Sequence, residues 1–511
     1  MKDRKWRNRR GGILLVICLA LLLSGCWQEE DPDPQESESP IPLQMEPEEE
    51  ETPVLPERFA LPYEPNHTLD PMTCPDGMQQ VIGSLIYEGL FRLNQQLEPE
   101  YSLCESYSCN DNFTSYTFIL RSGVSFSDGS PLTAVEARAS LERARDSERY
   151  RTRLRQIDWM NASGNELTIT LSAPNSGFPA LLDVPVCKST GGGVPLGTGP
   201  YSYVSEDYGA YLLANPVWWR GGGQPVERIA LDEAQGAMLY RFTSRDVQLI
   251  VTDLTAASPA GITGDIRYYD TNTTTLHYLA CNTNVWPLNG STFRRALYLG
   301  INRENITGAL LSGHALPAQF PVSPVSSLYP ADMEEAYSSF SFANTLSESG
   351  YTAERTLSLL VNAENSFKIS VARSIADGYT AAGVPTEVRA LPWEEFQEAI
   401  ANGEFDLCYC ETRLTADWNL SSLLASWSGL NVGGWYSERT TQLLEEYAAA
   451  SDRAAAMRTL CEHLRAMSPI LPICFENSSV LVQSEVVENL LPTAQEPFYN
   501  LTGCTIHLQS G

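Results

Sequence analysis

The run from Tyr116 to Asp146, YTFILRSGVSFSDGSPLTAVEARASLERARD, constrains the fold more tightly than any other part of the chain. Tyr116, Phe118 and Leu120 alternate with Thr117, Ile119 and Arg121, the two-residue rhythm of a half-buried strand. Ser122-Gly123 ends that strand, and Val124 and Phe126 share one face of a second, shorter one. Ser127-Asp128-Gly129-Ser130 supplies turn chemistry, because Asp and Ser side chains bond the nearby backbone and Gly accepts a positive φ. Thr133 and Glu136 have capping-box spacing, in which a hydroxyl and a carboxylate satisfy two amides that a helix start leaves unpaired. Behind them Ala134, Ala137, Leu141 and Ala144 make an apolar stripe. The residues predict strand, strand and capped helix, a stable αβ module with no reactive chemistry of its own.

The amino-terminal end reads differently. Lys2, Arg4, Lys5, Arg7, Arg9 and Arg10 form a basic start, and Gly12 to Leu23 an apolar run too short to span a bilayer. Leu23-Ser24-Gly25-Cys26 resembles a bacterial lipobox, which predicts a signal peptide over 1–26 and lipidation of Cys26. A plain signal peptide with an incidental cysteine is the alternative. Several acyl chains on Cys26 would hold the protein at the cell membrane, facing the extracytoplasmic side. Residues 27–58 are rich in Pro, Glu, Asp and Ser with almost no aromatic content, and predict a disordered tether. Eleven acidic residues between Glu29 and Glu51 supply much of the net charge of −29, so the acidity says little about partners of the folded body. No basic stripe could neutralise phosphates, which excludes a nucleic-acid partner. Beyond Cys26, Cys104 with Cys109 is a candidate disulfide, while Cys408 and Cys410 share a strand face and read as buried thiols.

Farther along, short motifs recur. Phe59 to Tyr63 reads as an opening strand, followed by Leu69-Asp70-Pro71. Val81 to Leu93 carries a helical stripe that includes Ile86-Tyr87-Glu88-Gly89-Leu90. Gly197-Thr-Gly-Pro-Tyr201 follows a glycine cluster, but Pro195 and Pro200 forbid the helix a phosphate cradle needs. Asn215-Pro-Val-Trp218-Trp219 comes next. Leu276 to Asn282 predicts a strand, and Asn302 a helix cap before Ile306 and Leu310. After that, strands (356–362, 385–391, 405–409) alternate with helices (369–381, around Trp393 to Ile400, around Met457 to Leu464). That rhythm predicts an α/β domain with a largely parallel sheet.

Taken together, "Tyr-Thr-Phe … Arg-x-Gly-Val-x-Phe-x-Asp-Gly-x-Pro-Leu-Thr-Ala", Tyr87-Glu88-Gly89-Leu90, the Gly197–Tyr201 run and the Asn215–Trp219 run resemble the large extracytoplasmic solute-binding proteins of ABC importers. That family includes oligopeptide-, dipeptide- and nickel-binding members. The resemblance implies a two-lobed periplasmic-binding-protein-like fold of the large type II, cluster C kind, with an extra small αβ domain. Lobe I would comprise 59–75, 167–275 and 485–511, the small domain 76–166 and lobe II 276–484. It also implies an ABC permease with its ATPase subunits as partners, and a peptide as ligand; a nickel chelate or an oligosaccharide stays open, as does a sensing role without transport.

Enzyme signatures are absent: no G-x-S-x-G, H-E-x-x-H, Walker loop or EF-hand occurs, and His67, His277, His314, His463 and His507 lack ligand spacing. Neither a cofactor nor a bound metal is expected. The segment Arg413-Leu-Thr-Ala-Asp417-Trp418-Asn419 is where the family resemblance places ligand contacts, with Asp417 pairing to a peptide's ammonium group. The alternative is that Asp417 caps a helix carrying Leu420, Leu423 and Leu424. Arg413, Trp418, Asn419, Asn282, Trp286 and Trp435 complete the expected ligand-binding set, with Asn282 equally readable as a backbone cap.

Overall fold

A computed structural model describes residues 55–221, 223–254 and 265–509. The expected signal peptide, Cys26 and nearly all of the tether lie outside them. Ser115–Leu120 is the strand its alternation predicts: Tyr116, Phe118 and Leu120 are buried and the residues between them are not. It sits second in an antiparallel sheet ordered Cys104–Cys109, Ser115–Leu120, Glu166–Leu171, Ile157–Ser163. The helix Ala134–Asp146 begins in a complete capping box, with the Thr133 amide donating to Glu136 Oε2 at 3.0 Å. Its buried Ala137, Leu141 and Ala144 pack onto that sheet. Cys104 and Cys109 stand at opposite ends of one strand, opposite Leu120 and Tyr116, and both thiols are free; no bridge joins them.

A second sheet pairs Phe59–Tyr63 in parallel with Arg228–Glu233, which continues antiparallel through Gly209–Ala214 to Tyr201–Glu206. Both sheets drain into one apolar core, where Phe59, Leu61 and Ile229 join Phe118, Leu141 and Ile169. The helical stripe predicted from Val81 to Leu93 stops early. The helix is Met78–Ile86, and Glu88–Gly89 and Phe91–Leu93 are short strands. Close packing decides this: a Cβ on Gly89 would stand 2.7 Å from the Phe91 carbonyl oxygen and 2.9 Å from the Asp183 carbonyl carbon.

Three of the sequence motifs meet at one carboxylate. Glu88 accepts hydrogen bonds from Thr198 Oγ1 at 2.8 Å, Trp219 Nε1 at 2.8 Å, Trp218 Nε1 at 3.3 Å and Arg220 Nε at 3.3 Å. A buried carboxylate so fully satisfied is a rigid joint. Gly197 and Gly199 allow the chain to reach it, since a Cβ on Gly197 would fall 1.9 Å from the Ile86 carbonyl oxygen.

The third sheet has seven strands, with the path Leu249–Thr252, Ile470–Gln483, Ile266–Cys281, Leu407–Arg413, Leu357–Asn362, Thr386–Leu391, and Ala315–Pro317 pairing with Ile470–Gln483. The three strands read from the alternation do pair in parallel, Leu357–Asn362 between Thr386–Leu391 and Leu407–Arg413, but the sheet as a whole is not largely parallel. Only Leu357–Asn362 makes parallel pairs, with its two neighbours; the other pairings are antiparallel. The reason is that the long strands Ile266–Cys281 and Ile470–Gln483 form an antiparallel couple at the centre of the sheet, which no local βαβ rhythm foretells. Beyond them, Leu360 and Cys408 face helices Glu438–Ala448 and Arg453–Met467, while Leu359 and Leu407 face Ser291–Leu299 and Ser366–Ala381. Asn302 caps as expected, accepting from the Asn305 amide at 3.2 Å, but only a single turn follows before a π-helical stretch, Ile306–Leu310.

Candidate functional site

The two long strands define the site because the two halves of their couple take different neighbours. Asp270 to Asn272 pair with Ser479 to Asn477, and Leu249–Thr252 flanks that half. Leu276 to Ala280 pair with Phe475 to Ile470, and Leu407–Arg413 flanks that half. The register slips between the halves, at Asn272/Leu276, and again inside the second, at His277/Tyr278. A bulge leaves ladder groups unpaired and bends the strand. Threonines compensate here: Thr271 Oγ1 donates to Ser478 O at 2.8 Å, Thr273 Oγ1 to Glu476 O at 2.6 Å and Thr274 Oγ1 to Leu414 O at 2.6 Å.

A cleft of about 300 Å³ opens beside this couple. Gln80, Asn94, Thr252, Thr274, Asn477 and Thr493 supply amides and hydroxyls to its walls. Arg413, at the end of its strand, lines it as well and is exposed, and its guanidinium makes no hydrogen bond or ion pair among the described residues. Asp76, Asp253, Glu411 and Glu476 are the carboxylates of its lining. His277 sits behind the two glutamates, 2% exposed, with Nδ1 3.0 Å from the Tyr409 hydroxyl and Nε2 2.9 Å from Glu476 Oε2. The ligand atoms of His277, Glu411 and Glu476 lie within 4.8 Å of one another, a grouping that could hold a cation, although Lys368 already pairs with Glu411.

Of the residues expected to bind ligand, only Arg413 stands on this wall. Trp418 is 1% exposed and packs edge-on against Phe475, so it presents no face to a ligand. Asn282 is a backbone cap, its amide donating to the carbonyls of Phe405 at 3.0 Å and Gly403 at 3.2 Å. Asn419 Oδ1 accepts from the Ser421 amide at 3.0 Å. Trp435 Nε1 donates to Thr440 Oγ1 at 3.1 Å beneath the Arg294 guanidinium, and exposed Trp286 lies tilted against Tyr351. Asp417 is 2% exposed and does not cap the following helix, whose preceding residue is Leu420. Close by, Arg153 is paired with Asp183, and burial pulls its guanidinium down to about 10.

The residues missed from sequence are Asn175, the Thr271–Thr275 hydroxyls and the His277–Glu411–Glu476 group. The run Thr271-Asn-Thr-Thr-Thr275 was a legible signal, since hydroxyl-rich strands suit irregular pairing; the others depend on long-range approach.

Residues 98–431 match the profile of the bacterial extracellular solute-binding proteins, family 5, middle region. The chain belongs to that family. Its members are the substrate-binding components of ABC importers, and the two-lobed mixed α/β architecture is theirs. The glutathione-binding protein GsiB of Shigella flexneri is 25% identical over 391 residues, covering 70% of this chain and 76% of its own. Among solved structures, a nickel ABC transporter protein of Bacillus halodurans superposes with a TM-score of 0.73 at 21% identity, covering 87% of this chain and 98% of that one. The oligopeptide-binding protein AppA of Bacillus subtilis, in complex with a nonapeptide, superposes with a TM-score of 0.61 at 18% identity, covering 89% and 100%. The family is one of binding proteins and not of enzymes. Among the described residues no helix is long and apolar enough to cross a membrane.

Proposed function

We propose that this solute-binding protein is a lipid-anchored receptor, tethered through Cys26, that captures short peptides in the cleft beside the crossing strands and passes them to an ABC permease. We place the hinge at the bulges, so that the second lobe spans roughly Leu276 to Phe475. The observation that carries the ligand class is Arg413, a guanidinium without a partner among the described residues, on a wall that also carries amides, hydroxyls, partnered carboxylates and the apolar Val81, Leu93, Leu97 and Val251. A planar fork of donors suits a peptide's terminal carboxylate, and the hydroxyls and amides suit its main chain. Native mass spectrometry of protein purified from peptide-containing medium, followed by thermal shift with a peptide library, tests it. Co-purified peptide and a raised midpoint are expected; neither mass nor shift would remove the peptide ligand.

A second reading, a metal-bearing solute, is favoured by the His277, Glu411 and Glu476 grouping. Titration with Ni²⁺ or Zn²⁺ chelates in the same thermal-shift assay distinguishes it, since only that reading expects the shift to be lost in Glu476→Gln.

A further inference from the structure

Asp417 stands where a ligand's ammonium group is expected to be read, yet its carboxylate is filled by the protein itself. Oδ2 accepts from Asn175 Nδ2 at 2.8 Å; Oδ1 accepts from Thr415 Oγ1 at 2.5 Å and from the Asn419 amide at 3.3 Å. Asn175 is as enclosed as its partner, 3% exposed. Its amide orientation is fixed, because Oδ1 accepts from the Gly177 amide at 2.9 Å and Nδ2 also donates to Gln156 Oε1 at 3.1 Å. The contact joins the two halves of the molecule, since Asn175 precedes the first crossing strand and Asp417 follows Arg413 within the second lobe. Other contacts close the same seam: the Ser176 amide donates to Ala448 O at 2.8 Å, and Leu93 and Ala180 pack on Ala416. Within the second lobe the Asp417 carbonyl accepts from the Tyr447 hydroxyl at 2.7 Å and from Arg453, which holds the aspartate in place. The charged groups nearby do not change this: Arg153 is held by Asp183 and Arg413 faces the cleft.

We propose that Asn175 is a specificity-determining residue: it clasps Asp417 across the lobes, so that this receptor takes peptides by their carboxylate end without reading a free amino terminus. An ammonium group competing for Asp417 would leave the buried Asn175 amide short of an acceptor, a cost that offsets its own gain. The ligand class that follows is peptides, and peptide-like acids, whose amino end is free or blocked alike. This class rests on the peptide reading above; the clasp itself does not.

Calorimetric titration of the full chain with matched peptides, free and N-acetylated, reads the specificity. Affinities within about threefold of one another are expected, and Asn175→Ala is expected to favour the free-amino form by about tenfold. A loss of tenfold or more on acetylation in the unaltered protein overturns the proposal. If neither form binds, the peptide reading fails, and the clasp is still tested by exchanging its partners. Asn175→Asp sets two carboxylates together and is expected to lower the unfolding midpoint by about 3 °C or more. Adding Asp417→Asn restores a donor–acceptor pair with the roles swapped and is expected to recover most of that loss. A double variant no more stable than Asn175→Asp overturns the clasp.

Discussion

Arg413 and Asp417 leave the same strand end and reach opposite environments, one guanidinium open to the cleft and one carboxylate shut into a seam. Replacing Arg413 by Ala is therefore expected to weaken ligand about 10–100-fold, the worth of a charge-assisted bond, with the unfolding midpoint unchanged; calorimetric titration and thermal melts check the two halves of that statement. Glu496 behaves in the contrary way. Burial pushes its carboxyl up to about 7, against the pull of Arg92 and Arg220. Because the folded state then holds a proton that the unfolded chain gives up near pH 4.5, its contribution to stability is complete below that pH. It is lost as pH rises through about 7. Glu496→Gln is expected to gain on the unaltered protein by roughly 1–3 kcal/mol between pH 5 and pH 8 in urea melts, and no pH-dependent difference would refute the assignment. Neither environment could be read from the chain. The partner of Asp417 is Asn175, far away in sequence, and a motif records which residue is present, not what has already occupied it.

At the level of elements, what was legible was local. The alternation of Ser115–Leu120 and the Thr133–Glu136 box both formed as the sequence predicts, because each is satisfied by neighbours a few residues away. Thr133→Ala is expected to cost about 1 kcal/mol, measurable by urea unfolding. The overrun of the helix past Ile86 and the antiparallel remainder of the sheet have one cause: both are settled by distant backbone, the first by Asp183 against Gly89 and the second by Ile470–Gln483 alongside Ile266–Cys281. Apolar spacing cannot register either. On the proposed reading the bulged crossing is the hinge, and its hydroxyl bonds should shape its motion. Thr273→Val removes the donor to the Glu476 carbonyl while keeping shape. Faster amide hydrogen exchange confined to 272–277 and 475–478 is expected, and uniform exchange across the sheet would count against a hinge there.

For the whole molecule, family membership and the two-lobed architecture were readable from motifs spread along nearly the entire folded body, whereas the ligand was not, since the cleft gathers Gln80, Arg413 and Thr493 from three remote stretches. A ligand bound only by the folded protein and present at a hundred times its dissociation constant should add about 2.7 kcal/mol to stability, a further check by melts at graded peptide concentration. The shared core of Phe59, Ile229, Phe118 and Leu141 bears on dissection: the αβ module and the first lobe should melt as one calorimetric transition. The Glu88 joint has a consequence of a different kind. Its donors come from Thr198, Trp218, Trp219 and Arg220, so a change at any one position leaves the others facing an altered partner. Across descendants of this chain these sites should vary as a block. A chimaera spliced between Gly89 and Gly197 from two divergent parents should be viable only where both inherit matching halves of the joint.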